Sequence, residues 1–208
     1  MQKCTNNKNF GMPYWEWEKD SECSICTNKY LGSNGFDGKI DSLSVFSEWR
    51  QICTITYPQT ICVMEDCVCQ RPRIVRLAGL SDIVKPDVND VNYCMTMTNL
   101  DTAPYDTSSV NSYRNCLEDI HNSMHVYLGG SMILVPIAAN DPLFCCHHAN
   151  VDRLSTFYYA KYNITPSSYP TGNTRYGHRS FDYPNAFLTT WTNSMLTSPA
   201  STTGTIYV

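Results

Sequence analysis

The second half of the chain contains two histidine-bearing segments, HNSMH at residues 121–125 and NDPLFCCHH at residues 140–148. His121 and His125 are four residues apart, so on a helix their imidazoles lie on the same face, one turn apart. Two adjacent histidines end the second stretch. Imidazoles that converge from two helices suit copper, zinc or iron. The HExxH motif of zinc proteases is excluded, because Asn122 stands where that motif has glutamate.

Both histidine pairs fall on segments with helical patterns. Apolar or partly apolar residues recur at helical spacing from Ser112 to Leu128, namely Tyr113, Leu117, Ile120, Met124 and Leu128. The glycine pair 129–130 then predicts the end of this helix. Asn140-Asp141 followed by Pro142 is typical of a helix N-terminus, and predicts a second helix over about 142–161.

The rest of the chain predicts little regular structure. Residues 21–110 are rich in turn residues and cysteine, with a helix expected near 43–53 and weak strands near 73–77 and 91–97. The remaining ranges are an aromatic segment over 1–20 and an irregular Ser/Thr-rich tail over 183–208. The sequence therefore predicts a mainly α fold, in which one helix pair over 111–161 is joined to long irregular Cys-rich loops.

The composition excludes several classes of protein. The net charge of −4, without a basic block, argues against a nucleic-acid partner. The chain has no uninterrupted apolar run long enough to span a bilayer. Residues 1–20 carry six charged side chains, so they do not form a signal peptide.

Eleven cysteines point to an oxidising compartment. Most fall in the Cys-rich loops, where disulfides are favoured over a four-thiolate zinc site built from motifs such as Cys23-Ser-Ile-Cys26. The number is odd, so at least one thiol is unpaired, and Cys145 and Cys146 are expected to be buried thiols on the second helix. The sequon Asn163-Ile-Thr165 agrees with secretion.

The two histidine stretches, with their spacing, resemble the copper B half of the tyrosinase family of type-3 copper proteins. Pro13-Tyr-Trp-Glu-Trp17 resembles the aromatic segment that follows the copper A site in that family. The likeness is greatest to the animal melanin-forming branch, through the run from Asn9 into Cys23-Ser-Ile-Cys26. It covers about residues 9–182, which would make 1–182 a partial copper-binding domain.

The resemblance implies roles for particular residues. The copper ligands would be His121, His125 and His148, with His147 as a neighbour rather than a ligand. Glu118 and Asn122 would hold a water that helps to deprotonate phenols. The resemblance also implies that Phe144 packs over a ligand ring, and that the Gly-His at His178 is not a ligand position.

The activity implied is that of a copper oxidoreductase, which hydroxylates monophenols and oxidises o-diphenols to o-quinones with O2. A complete site needs two coppers and six histidines, whereas this chain has five histidines and none before Pro13. We therefore expect a fragment that lacks copper A, holds one copper and is inactive alone. Its partners would be phenolic small molecules and O2.

Two other functions stay open. One is a non-catalytic tyrosinase-like protein that binds a single copper or zinc ion, and the other is an oxygen carrier of the haemocyanin type. Whichever function holds, the expected location of the protein is extracellular or the lumen of an organelle such as the melanosome. Because one helix pair leaves apolar bundle faces uncovered, the chain is also expected to self-associate.

Overall fold

The structure is a computed structural model of the 208-residue chain. It describes residues 10–51, 53–55, 60–62, 71–79, 82–106, 108–172, 175–184 and 189–207. The chain divides into two compact units. Unit 1 contains Met1–Asp87 and Asn122–Asn150, and unit 2 contains Val88–His121 and Val151–Val208.

Helices dominate the regular structure of the described residues, which confirms the mainly α fold class. The α-helices are α1 (Val88–Cys94), α2 (Tyr113–Leu128), α3 (Pro142–Tyr162) and α4 (Ala200–Thr203). Short 3-10 helices cover Gly130–Ile133, Ala138–Asn140, Pro166–Ser168 and Asn193–Thr197. Strands β1 (Cys53–Ile55) and β2 (Thr60–Cys62) form an antiparallel pair with Thr54 opposite Ile61.

Helix α2 begins one residue after the predicted start and ends where the glycine pair predicts. Its apolar spacing places Tyr113, Leu117, Met124 and Leu128 in the core. Gly129 and Gly130 follow with φ of +58° and +54°. Glycine adopts this left-handed conformation without steric cost, so the chain turns away sharply after the last helical residue.

Helix α3 begins at the predicted proline. The Asp141 carboxylate accepts a hydrogen bond of 2.9 Å from the backbone N–H of Leu143, which satisfies one of the unpaired donors of the first turn. Buried side chains then recur along the helix at Leu143, Cys146, Leu154 and Tyr158. The capping residue and the apolar spacing together fix where the second histidine pair stands.

Unit 2 is held by an aromatic stack and a disulfide. The rings of Tyr113 and Tyr158 stack with centroids 3.5 Å apart and planes 6° apart. A disulfide joins Cys94 at the end of α1 to Cys116 in the first turn of α2. These contacts attach the short helix α1 to the N-terminal half of α2.

Loss of the Cys94–Cys116 disulfide is expected to lower the free energy of unfolding by about 3 kcal/mol, because its sequence separation is 22. The matched control removes Cys23–Cys26, whose separation is only 3, and loop-closure entropy grows with loop length. Urea unfolding of the two Cys→Ala double variants measures both losses. Equal losses would contradict the expectation.

Three expectations about the Cys-rich region are wrong. Residues 43–51 form successive turns rather than a helix, because Asp41 and Ser44 side chains accept hydrogen bonds from nearby backbone N–H groups and compete with helical bonding. In place of a strand over 73–77, the chain makes only isolated bridges at Arg73 and Val75. The predicted strand over 91–97 does not form: residues 91–94 belong to helix α1, in which Val91 and Cys94 are buried at helical spacing, and the helix ends at Cys94.

Cysteines of the Cys-rich region form disulfides among the residues that the structure describes, as predicted. Cys23 and Cys26 are bonded to each other, which excludes a zinc site at this motif. Cys145 and Cys146 are free. Cys4, Cys67 and Cys69 lie outside the described residues. Among the helices that the structure describes, none is both long enough and apolar enough to cross a membrane.

Candidate metal centre

Four of the five histidines form one group, which we call the histidine cluster: His121, His125, His147 and His148. A ring nitrogen of each lies within 4.8 Å of a ring nitrogen of every other. Helix α2 carries the first two, one turn apart, and the first two turns of α3 carry the others. The Nε2 atoms of His125 and His148 are 3.3 Å apart. The structure thus brings together all three predicted ligands, together with His147, and leaves His178 in an exposed turn of unit 2.

The ring of His125 is oriented by the backbone. Its Nδ1 lies 2.8 Å from the carbonyl oxygen of Met132. Since a carbonyl oxygen can only accept, Nδ1 carries the proton, and Nε2 presents its lone pair to the centre of the cluster. Burial lowers the pKa of His125, although the bond to Met132 opposes that shift. Burial therefore favours the neutral form of the imidazole, which metal binding requires.

Aromatic rings surround the second histidine pair. Phe144 stacks on His148 with centroids 4.0 Å apart, which confirms its expected packing over a ring of the cluster. His147 is fully buried, and its ring lies 6.0 Å from that of Trp17 and 4.9 Å from that of His125. Such packing restricts the rotation of both imidazoles.

The aromatic segment near the start of the chain contacts helix α3 beside the cluster. The backbone N–H of Trp15 donates to the carbonyl oxygen of Cys146 at 3.1 Å. Two residues after His148, the buried side chain of Asn150 donates to Glu18 at 2.7 Å. The segment over 13–18 therefore fixes the helical turns that carry the second histidine pair.

Glu118 and Asn122 occupy more open positions on helix α2. Glu118 is about one-third exposed and forms an ion pair with Arg114, whose Nε also donates to Asp101 at 2.7 Å. Asn122 is exposed. Among the residues that the structure describes, the group with metal-ligand geometry contains neither of these side chains.

The two free thiols differ in exposure, which corrects the expectation that both are buried. Cys146 faces the core and Cys145 faces solvent, because consecutive helical residues point about 100° apart. Burial raises the pKa of the Cys146 thiol to about 11. A thiol of this kind carries little of the reactive thiolate at neutral pH.

Iodoacetamide is therefore expected to alkylate Cys145 in the folded protein, and Cys146 only after denaturation. Peptide mapping by mass spectrometry, before and after addition of guanidinium, measures both modifications. Equal labelling of the two thiols in the folded state would contradict the assignment.

The donor set of the cluster fits copper. Every member offers an imidazole nitrogen, a donor that suits copper as well as zinc and iron. The pKa of His125 favours the neutral ring. Its bond to the Met132 carbonyl gives the orientation that metal-binding histidines commonly receive from a backbone or carboxylate acceptor.

Reasoning from sequence alone missed the parts of the site that depend on distant contacts. The Met132 carbonyl and the ring of Trp17 both orient cluster histidines, yet their own sequence gives no sign of this. The sequence does indicate that His147 lies near the other three histidines, because it is adjacent to His148.

Comparison with known proteins agrees with the geometry of the site. A profile described as the common central domain of tyrosinase matches residues 1–161. The chain is 30% identical to the tyrosinase of Gallus gallus and 29% identical to that of Bos taurus, over 93% of its own length and 40% of theirs. It is 29% identical to the 5,6-dihydroxyindole-2-carboxylic acid oxidase of Carassius auratus, over 86% of its length and 38% of that protein's. The chain therefore spans about 40% of the length of these relatives. With more than half of its residues matched by the profile, the chain belongs to the tyrosinase family.

Proposed function

We propose that this chain supplies one copper centre of a tyrosinase-type oxidoreductase, with His121, His125 and His148 as the copper ligands. The observation that carries the proposal is the convergence of their ring nitrogens within 4.8 Å, on helices α2 and α3. The family of the chain favours copper over the other metals that imidazoles bind.

The surroundings of each ring distinguish the three ligands from His147. His125 and His148 face each other through their Nε2 atoms, and His121 stands one helical turn before His125. His147 is fully buried between Trp17 and His125. We assign it the role of packing against the ligand rings and holding their orientation.

The reaction that we propose is o-hydroxylation of monophenols and oxidation of o-diphenols to o-quinones with O2. Bound copper would supply the redox chemistry with dioxygen, in a complete site that holds two copper ions. The protein's own part is to bind the metal, exclude water and move protons. Glu118, held by Arg114, and the exposed amide of Asn122 would hold a water that accepts the phenol proton.

A second candidate is a non-catalytic protein with a single copper or zinc ion. It is favoured by the histidine count, because five histidines cannot supply two three-histidine centres within this chain. A haemocyanin-type oxygen carrier has weaker support, since the relatives named above are tyrosinases and an oxidase.

Oxygen uptake with a catechol separates these functions. We expect protein purified from its natural source to consume O2 with the catechol, to lose this activity on chelation and to regain it with copper. The recombinant 208-residue chain is expected to bind copper without turnover. If the natural protein binds one metal ion and does not oxidise the catechol, the oxidase proposal fails and the single-metal function stands.

We also propose an extracellular or organelle-lumen location, as in the melanosome. The Cys23–Cys26 and Cys94–Cys116 disulfides fit an oxidising compartment. The side chain of Asn163 is exposed directly after helix α3, where its sequon is accessible.

A further inference from the structure

We infer that Arg76 is a positioning residue of the metal centre: it fixes the spacing of the two helices that carry the cluster histidines. This inference rests on the proposed function, because it gives the ligands of that same centre a structural support. Arg76 stands outside the two histidine stretches, and the hydrogen bonds of its side chain go to Asp141, Leu31 and Gly32. It acts through Asp141, at the start of helix α3.

Arg76 is completely buried, and its guanidinium makes four hydrogen bonds. Its Nε and Nη2 atoms donate to the two carboxylate oxygens of Asp141, each at 2.6 Å. Its Nη1 atom donates to the carbonyl oxygens of Leu31 and Gly32 at 2.9 and 2.7 Å. A buried pair with its donors satisfied in this way has one geometry, because neither charge can turn elsewhere without losing its partners.

Asp141 passes this constraint to helix α3. The same Oδ1 atom that binds Arg76 also accepts the bond from the N–H of Leu143. Asp141 is itself fully buried. The first turn of α3 is therefore held by the guanidinium, and the cluster histidines of α3 follow within the next two turns.

The segment that carries Arg76 is also bonded to the end of helix α2. The N–H of Leu77 donates to the carbonyl oxygen of Leu128, the last residue of α2, at 2.8 Å. The N–H of Ser131 donates to the carbonyl oxygen of Val75 at 2.7 Å, and the hydroxyl of Ser131 accepts from the N–H of Val75 at 3.0 Å. The next residue, Met132, orients His125.

Three consecutive residues, 75–77, thus hold both sides of the centre. Their backbone fixes the end of α2 and the turn that orients His125, and the Arg76 side chain fixes the start of α3. Metal ligands must be held to within about 0.5 Å of their bound positions. A substitution at Arg76 would therefore allow the start of α3 to shift relative to α2. All four cluster histidines would still be present, but their rings would no longer be held at the correct spacing.

The test is titration of the folded chain with Co²⁺, followed through the visible absorption bands of the bound ion. Arg76→Lys keeps the buried charge but cannot make the two parallel bonds to Asp141. Asp141→Asn keeps an oxygen for the N–H of Leu143 but loses the ion pair. We expect both variants to bind Co²⁺ about 10- to 100-fold more weakly than wild type, with shifted absorption bands.

The matched control is Arg179→Lys, which alters an arginine–aspartate pair in unit 2 (Arg179–Asp182) and is expected to leave the affinity and the bands unchanged. The melting temperature of each variant is measured by circular dichroism, and each titration is done below it. A weaker affinity then cannot result from unfolded protein. If one variant does not fold, the other carries the test.

The outcomes separate this inference from the proposed function. If wild type binds Co²⁺ and the folded Arg76→Lys or Asp141→Asn variant binds it equally with the same bands, the positioning role is overturned and the proposed function stands. If wild type itself does not bind Co²⁺, both fail.

Discussion

Replacing His148 by alanine is expected to weaken copper binding by about 100-fold or more. Loss of a residue that only orients a ligand already costs about 10- to 100-fold in affinity, and loss of a ligand costs at least as much. The Nε2 atom of His148 lies 3.3 Å from the Nε2 atom of His125, so the substitution removes a nitrogen donor from the centre of the cluster. Isothermal titration with Cu²⁺ in a weakly chelating buffer measures the change.

Two further histidine variants act as controls for this prediction. His178→Ala removes the exposed histidine of unit 2 and is expected to leave copper affinity unchanged. His147→Ala removes a buried ring and is expected to destabilise the fold but to weaken copper binding less than His148→Ala does. If His178→Ala, or His147→Ala, reduces affinity as much as His148→Ala, the assigned ligand set is wrong.

Gly130→Ala is expected to lower the free energy of unfolding by about 3 kcal/mol or more. Its φ of +54° costs an alanine about 1 kcal/mol. In addition, the new Cβ would lie 2.2 Å from the carbonyl oxygen of Val75. That contact forces the backbone apart, at an added cost of about 2 kcal/mol or more.

Gly177→Ala isolates the conformational part of this cost. Gly177 also has a positive φ, of +85°, but no atom lies within 4 Å of an added Cβ. We expect a loss of about 1 kcal/mol there. Chemical denaturation of both variants gives the comparison, and equal losses would show that the contact with Val75 does not constrain the turn.

The second half of the fold could be predicted because its signals are local. The spacing of Leu117, Met124 and Leu128 indicates a helix, and the glycine pair indicates its end. Asp141 with the proline after it indicates the next helix. Each of these patterns acts within a few residues, and each appears in the structure at nearly the predicted position.

The first half could not be predicted, because its structure depends on contacts between distant residues. The segment at 73–77 has a strand-like composition, yet its backbone bonds are spread over distant residues and make only isolated bridges. The partners are Gly38, Trp49, Leu128 and Ser131. At 43–51, short polar side chains outcompete the helical pattern. At 91–94 the helical spacing of Val91 and Cys94 matches the helix that forms, in which both side chains are buried.

The candidate site also has a part that could be predicted, the histidines, and a part that could not, the groups that orient them. The spacing of the histidines predicts that they converge, since one helix fixes His121 relative to His125 and the next fixes His148. The orienting groups come from elsewhere: Arg76 is 65 residues from Asp141. No pattern in the sequence indicates such a pair before the fold brings it together.

The copper content of the purified chain shows whether the histidine cluster binds copper. The chain would be loaded with copper, passed over a chelating resin and analysed by mass spectrometry of the metal. We expect about one copper per chain in wild type and in His178→Ala, and almost none when His121, His125 and His148 are all alanine. Equal copper in wild type and the triple variant, or no copper in wild type, would show that these histidines do not form a copper site.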